Sequence, residues 1–218
     1  MKMYSFWRSA ASFRVRIALN LKGLQAEVVD VHLDHGDQHS AEYRAVNPQR
    51  VLPSLAVDDG PPLIQSLAIL EYLDETHPRP PLLPKDPRAK ARVRAIAQIV
   101  ACDHHPLIVP RVRSYLEKEF GLDEAARLKW IRHWFDEGLR ILEEHLSRDS
   151  QTGKFCHGDA VTIADLCLVS HVVGAQVFGC DVGPHPTVKR IADACLAMEA
   201  FAKAHPRKQP GAPATGMH

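Results

Sequence analysis

The 218-residue chain has no C-x-x-C pair, no apolar run of membrane-spanning length and almost no net charge. Its five cysteines, Cys102, Cys156, Cys167, Cys180 and Cys195, are odd in number. That argues against a disulfide framework and against structural zinc, and makes a reducing compartment, the cytoplasm, the expected location. A formal charge of +1, from 27 basic and 26 acidic side chains, offers no electrostatic footprint for nucleic acid or an anionic membrane. A bilayer span takes about 18 to 20 apolar residues in a row, and nothing here approaches that. The opening Met1-Lys2-Met3-Tyr4-Ser5-Phe6-Trp7-Arg8 lacks the apolar stretch and cleavage site of a secretory leader and reads as a first strand. What is present, 45% apolar and 24% charged residues, suits a globular protein with one large core or two smaller ones.

The clearest punctuation is His77 to Pro87, with five prolines in eleven residues, which can neither continue a helix nor supply a central strand. Before it, strand and helix signals alternate. Met3–Phe6 and Glu27–Leu33 flank a helical Ser12–Lys22 closed by Gly23, a βαβ unit with a parallel pair. Ser54–Val57 and Pro62–Gln65 surround an Asp58-Asp59-Gly60 turn as a hairpin, and Ser66 starts a helix to Thr76 as its N-cap. This order is thioredoxin-like. After the prolines nearly everything is helical. Leu128, Ile131, Phe135, Leu139, Leu142 and Leu146 form one stripe at spacings of three and four; Val188, Ile191, Cys195, Met198 and Phe201 form another. Thr162 and Asp165 form a capping-box-like start between them. The expected organisation is a thioredoxin-like α/β domain at 1–80, a linker at 81–87, an all-α domain at 88–206 and a disordered tail at 207–218.

Chemistry concentrates where the first strand meets the first helix. A thioredoxin-like redox enzyme keeps its two cysteines there; this chain reads Ser9-Ala10-Ala11-Ser12. Any working thiol must therefore arrive with a ligand. A helix N-terminus offers unpaired N–H groups and the positive end of the dipole, and Ser9 adds a hydroxyl donor. A free thiol titrates near about 8.5, and each unit of lowering takes about 1.4 kcal/mol. Two readings stay open: Ser9 or Ser12 caps the helix and nothing more, or the helix start receives a thiolate. Leu52-Pro53, directly before the third strand, suits a cis peptide that exposes backbone groups to a ligand's own backbone, or an ordinary trans proline. Gln65-Ser66 opens another helix where a carboxylate would be welcome.

The order and spacing of these segments resemble the glutathione transferases, the zeta class in particular. That class carries a motif near S-S-C-S-W-R-V-R-I-A-L, against Ser9-Ala10-Ala11-Ser12-Phe13-Arg14-Val15-Arg16-Ile17-Ala18-Leu19 in this chain. Likeness continues through Ala45–Pro48, Val51–Pro53, Ile64–Ile69 and Gly158–Val169, covering nearly the whole chain to about Pro210. Phe6-Trp7-Arg8-Ser9 and Cys102-Asp103-His104-His105-Pro106 also resemble the bacterial maleylpyruvate isomerases within that class.

The resemblance implies a glutathione-dependent cis–trans isomerase of maleyl dicarboxylates, in which glutathione is required and not consumed. Catalytic roles fall on Ser9, facing the sulfur, and on Arg8 and Arg111 as carboxylate holders. Gln38 and His105 match positions that hold the glycine end or backbone of the tripeptide. Leu52, before Pro53, matches the clamp on its cysteinyl unit, Gln65 and Ser66 receive the γ-glutamyl carboxylate, and Val109 lines the site. The implied partners are a small dicarboxylate substrate and a second copy of the chain, a homodimer, with no nucleic acid and no membrane. Ala10 and Ala11 depart from the motif's Ser and Cys, and Gln176-Val177 stands where many relatives read Arg-Arg, so one carboxylate-binding arginine is missing. A general conjugating transferase is the alternative; a non-catalytic interaction module is a third reading, opposed by Ser9, Pro53, Gln65 and Ser66. The histidines His32, His35 and His39, with Asp34 and Asp37, lie in a polar loop without ligand spacing, and no metal site is expected.

Overall fold

The computed structural model describes residues 1–213. In chain order, β1 (Lys2–Ser5), α1 (Ala10–Leu21), β2 (Glu27–Asp30), α2 (Ala41–Val46), β3 (Ser54–Ala56), β4 (Leu63–Ile64) and α3 (Ser66–Thr76) come first. Then follow α4 (Pro87–Gln98), α5 (His105–Ile108), α6 (Pro110–Phe120), α7 (Glu124–Arg148), α8 (Ile163–Val177), α9 (Pro186–Leu196) and α10 (Glu199–Ala204). The chain divides into two compact units. One is Met1–Leu82 with the described chain from Met198 to Pro213; the other is Leu83–Ala197.

The first unit is built on a four-stranded sheet of order β2-β1-β3-β4. β1 pairs parallel with β2 and antiparallel with β3, and β3 pairs antiparallel with β4. Met3 lies opposite Val28 and Leu55 in that register. Met3 and Leu55 are fully buried, as a period-2 strand with one covered face requires. α1 is buried along Ala11–Leu19, including Arg14 and Arg16, and packs against both α3 and α10. The proline-rich stretch is anchored at its start. The Lys22 ammonium donates to Asp74 Oδ1 (2.9 Å), the His77 carbonyl (2.6 Å) and the Pro80 carbonyl (2.9 Å), and Leu82 N–H donates to Asp74 Oδ1 at 2.7 Å.

Four expectations are corrected. The stripe from Val188 to Phe201 is two helices, because α9 ends at Leu196 and α10 starts at Glu199. The break lets Val188, Ile191 and Cys195 fill the second unit's core while Phe201 is buried in the first. The helical domain therefore ends near Ala197 rather than at 206. The tail is ordered to Pro213: Pro206–Lys208 forms a 3₁₀ turn, Gln209 Nε2 donates to the Lys203 and His205 carbonyls, and Ala212 packs on the cluster of Phe6, Trp7, Val31, Tyr43 and Leu52. The rest of the expected disorder, 214–218, lies outside the described residues. Ser66 is also not an N-cap. Gln65 holds that position.

In the second unit the α7 stripe buries Ile131, Phe135, Leu139, Leu142 and Leu146 as their spacing dictates. α8 is buried almost throughout, and α4, α7 and α9 pack against it. Asp165 fixes its start: its carboxylate accepts from Thr162 N–H (2.8 Å), the Thr162 hydroxyl (2.9 Å) and Cys156 N–H (2.7 Å). Burial pushes that carboxyl above its ordinary range, while the same donors pull it back. Arg92 pins the segment before it, donating to Asp149 Oδ2, the Cys156 carbonyl and the Thr152 hydroxyl at 2.6, 2.7 and 2.9 Å. Among the described residues, no helix is long and apolar enough to cross a membrane.

Candidate active site

At the end of β1 the chain turns sharply: Ser9 N–H donates to the Phe6 carbonyl at 3.0 Å. Ser9 is extended (φ −65°, ψ 116°) and caps α1, its Oγ accepting from Ser12 N–H at 3.2 Å. An amide thus occupies one lone pair of the hydroxyl and leaves its proton to donate. A hydroxyl polarised in this way is a better donor to an anion. No acidic residue sits in the first turn of α1, so the positive end of the helix dipole is not neutralised there. The cap reading of Ser9 is correct, and the free proton keeps the anion reading compatible with it.

Arg8, next in the turn, donates to Asp34 Oδ1 at 2.7 Å. Its guanidinium lies 5.8 Å from the Phe6 ring centroid and 5.6 Å from that of Trp7. It is thus paired with a carboxylate of the chain itself. Arg16 lies behind the turn, and sequence reasoning missed it as a site feature, because nothing in its neighbourhood along the chain marks it. It is 6% exposed. Burial lowers its pKa to about 9, which keeps it a cation at neutral pH.

The Leu52–Pro53 peptide bond is cis, and Leu52 is buried in the cluster that holds Phe6 and Trp7. That cluster sets the Leu52–Pro53 loop beside the turn bearing Arg8 and Ser9. The loop is shaped by two residues that sequence reasoning did not assign. Asn47, fully buried, donates from Nδ2 to the Val51 carbonyl (2.9 Å) and accepts from Gln49 N–H (3.0 Å). Tyr43 donates to the same carbonyl at 2.6 Å and lies 3.0 Å from Ser54 Oγ; burial raises its phenol. The Asn-Pro pair was the available signal, since such a side chain bonds the backbone two residues on.

Gln65 precedes α3 at φ +69°, ψ 118°, a backbone region that costs a non-glycine residue about 1–3 kcal/mol and clusters at functional sites. It makes no side-chain cap; its Nε2 donates to Gln49 Oε1 at 2.9 Å. The first turn of α3 carries no acidic residue. Ser66, buried, accepts from Arg14 Nη1 at 3.2 Å instead of capping. Contacts thus run in a ring through the first unit: Ser9 to α1, Arg14 to Ser66, Gln65 to Gln49, and through Leu52 back to Trp7 and Arg8. Gln38 sits on the 3₁₀ turn Asp37–His39, its Oε1 buried with no partner among the described residues. The His32 and His35 rings stack face to face at 3.7 Å and 10°, so they do not converge on a point as metal ligands would.

The other three expected residues lie in the second unit. A π-helical segment, Ile99–His104, precedes α5; the His105 amide bonds back to the Val100 carbonyl. Pro106 explains the irregularity, because it has no N–H for a regular helical bond. His104 is buried with Nδ1 2.7 Å from the Ile99 carbonyl, and His105 is half-buried. Val109 is extended (φ −70°, ψ 157°) at the joint between α5 and α6, and Arg111 stands exposed in the first turn of α6. Gln176 is exposed in the last turn of α8.

A mixed sheet with a serine-capped, thiol-free start to its first helix, on a chain whose remainder is helical, is the layout of a glutathione transferase. The glutathione S-transferase N-terminal domain family matches residues 3–81. The maleylpyruvate isomerase of Ralstonia sp. is 44% identical over 211 residues, 96% of this chain and 99% of that one. The maleylacetoacetate isomerase of Pseudomonas aeruginosa is 43% identical over 216 residues, 98% and 100% of the two chains. Among solved structures, a maleylacetoacetate isomerase from Methylobacterium extorquens AM1, with malonate and glutathione bound, superposes with a TM-score of 0.97 at 57% identity, covering 98% of this chain and all of that one. A holo maleylpyruvate isomerase, described as a bacterial glutathione S-transferase of the zeta class, gives a TM-score of 0.94 at 43% identity over the same shares. This chain belongs to the zeta class of the glutathione transferases.

Proposed function

We propose that this protein is a glutathione-dependent cis–trans isomerase that converts a maleyl dicarboxylate, maleylacetoacetate or maleylpyruvate, into its fumaryl isomer. The observation that carries the proposal is the Ser9 hydroxyl, fed by the Ser12 amide at the uncompensated start of α1, in a chain without a thiol at that position. The residues present suit glutathione. Gln38 Oε1 is a buried acceptor without a partner among the described residues, as a peptide N–H would satisfy, and α3 opens with no acidic residue and no side-chain cap, as a carboxylate would favour.

When bound, glutathione supplies a thiolate whose reversible addition turns the substrate's double bond into a single bond that can rotate. Ser9 and the amides of α1 hold that negative charge and lower the thiol's pKa. Leu52, with Pro53, pairs through its backbone with the cysteinyl unit; Gln65 and the start of α3, Ser66 included, receive the γ-glutamyl carboxylate. Gln38 and His105 hold the glycine end or backbone, and Val109 lines the site. Arg8 and Arg111 hold substrate carboxylates and stabilise charge that builds on the carbonyl oxygen during the reaction. Assay of both maleyl acids with and without glutathione tests the reading: conversion should require glutathione and leave its amount unchanged.

Gln176, where an arginine is common, favours one second reading, a broader transferase that joins glutathione to electrophiles. Stoichiometric loss of glutathione with halogenated substrates and inactivity on maleyl acids would select it. The homodimer is proposed as well, and sedimentation tests it. A cytoplasmic location fits the five free thiols.

A further inference from the structure

No role above falls on Arg16, yet it is tied to the turn that presents Ser9 more closely than any other side chain described. Its planar fork meets four oxygens. Nη1 donates to Ser5 Oγ (3.1 Å) and the Phe6 carbonyl (3.3 Å), Nη2 to the Trp7 carbonyl (3.1 Å), and Nε to the Ala204 carbonyl (3.1 Å). The Phe6 carbonyl is also the one that Ser9 N–H uses to close the turn. Two successive carbonyls of the turn therefore aim at one guanidinium. Because each peptide is planar and trans, the N–H groups of Trp7 and Arg8 then point away from it. The fourth acceptor is a terminal carbonyl of α10, nearly two hundred residues away in sequence, and Asn20 fastens the same helix through the Ala200 carbonyl at 2.9 Å.

Among the described residues all of these acceptors are neutral, and no carboxylate offsets the charge. Burying an unpaired cation is expensive, and hydrogen bonds to neutral oxygens, with the Phe13 ring centroid 5.7 Å from the guanidinium, recover only part of that. The cost becomes intelligible if the cation serves an anion. We propose that Arg16 is a positioning residue that fixes the Phe6–Ser9 turn against α10 and sets the Ser9 hydroxyl, and with it the field at the helix start, for a glutathione thiolate. The proposal rests on the reading of Ser9 as the thiol-facing hydroxyl. It makes the segment after Met198 a part of the thiol half-site, although no residue of that segment carries a ligand role.

Lysine at this position keeps the charge and loses the fork. The test compares the full-length parent with Arg16→Lys, measuring ultraviolet absorbance of the glutathione thiolate on the protein against pH, glutathione affinity by calorimetry, and thermal unfolding. The parent should hold the thiol below its ordinary value of about 8.5. Arg16→Lys should raise it by about one unit and slow turnover at neutral pH about tenfold, with glutathione affinity changed less than about threefold. A merely structural role would lower the unfolding temperature and leave the thiol's titration where it was; that result in a folded variant overturns the proposal. Should Arg16→Lys fail to fold, Ser5→Ala removes one tether and keeps the guanidinium, and a shift in the same direction is expected. An unshifted thiol in folded Ser5→Ala, in that case, overturns the proposal equally. A parent that binds glutathione with its thiol unshifted removes the Ser9 reading itself, and the proposal with it.

Discussion

The Ser12 amide donates to Ser9 Oγ at 3.2 Å, so one hydroxyl both caps α1 and keeps a proton to give. The two functions separate in Ser9→Ala. Losing a serine cap costs about 0.5–2 kcal/mol of stability, whereas losing a donor aimed at developing charge costs about a hundredfold or more in turnover. Denaturant unfolding together with steady-state rates should show a small first effect and a large second one. Equal rates for mutant and parent at neutral pH would refute the role.

Arg8 reaches Asp34 at 2.7 Å, with the carboxylate side about half exposed. Pairs of this kind contribute about 0–1 kcal/mol, so Asp34→Asn should hardly change stability. It should free Arg8 for a substrate carboxylate and lower KM for the dicarboxylate about twofold to fivefold, whereas Arg8→Gln should raise it. Unchanged KM in both variants would take Arg8 out of the substrate site.

His205 lies edge-on to Phe13 at 6.0 Å, and its Nδ1 accepts from Arg207 N–H at 3.3 Å. Burial, then the charges of Arg207, Lys208 and Arg16, lower its pKa below 6.5. The folded protein thus resists a proton that the unfolded chain accepts near 6.5. Its contribution to stability should be complete above that value and decline as pH falls through it toward the lower folded pKa. Urea midpoints followed from about pH 7 to about pH 5 should fall less steeply in His205→Gln than in the parent. Identical slopes would remove His205 as a source.

Gly138 lies within α7, where alanine normally gains about 1 kcal/mol in helix propensity. Here an added Cβ would stand 2.5 Å from His171 Nε2 and 3.1 Å from His104 Cγ. Neither ring can swing away: both are buried, and His171 Nε2 lies 3.1 Å from the Phe135 carbonyl. Overpacking of about 1–3 kcal/mol should outweigh the propensity gain. Gly138→Ala should therefore melt below the parent; a higher melting temperature would show that the rings yield.

Legibility tracked the range of the interactions involved. The helix start at Ser9, the alternation of β1 and the stripe of α7 follow from residues a few positions apart. α2, with six residues, is too short to show a period, and Pro106 was the sole hint of the π-helical turn. Ser66 looked like a cap because serine caps helices; it became a partner of Arg14, 52 residues away. A periodic stripe states that one face is apolar without naming what covers it, and so Val188 to Phe201 read as one helix.

From the sequence alone came the thioredoxin-like order and the absence of a resident thiol at the start of the first helix; the assignment of Ser9, Leu52-Pro53 and Gln65-Ser66 to one ligand came through resemblance to the glutathione transferases and stands as a proposal. Those are properties of local chemistry and of order along the chain. Which core receives Phe201, what shape Asn47 and Tyr43 impose on the loop, and that Arg16 closes on four oxygens were decided by tertiary structure. Hydrogen bonds and burial join groups by distance in space, and a carbonyl at 204 beside a guanidinium at 16 leaves no trace in either residue's neighbourhood along the chain.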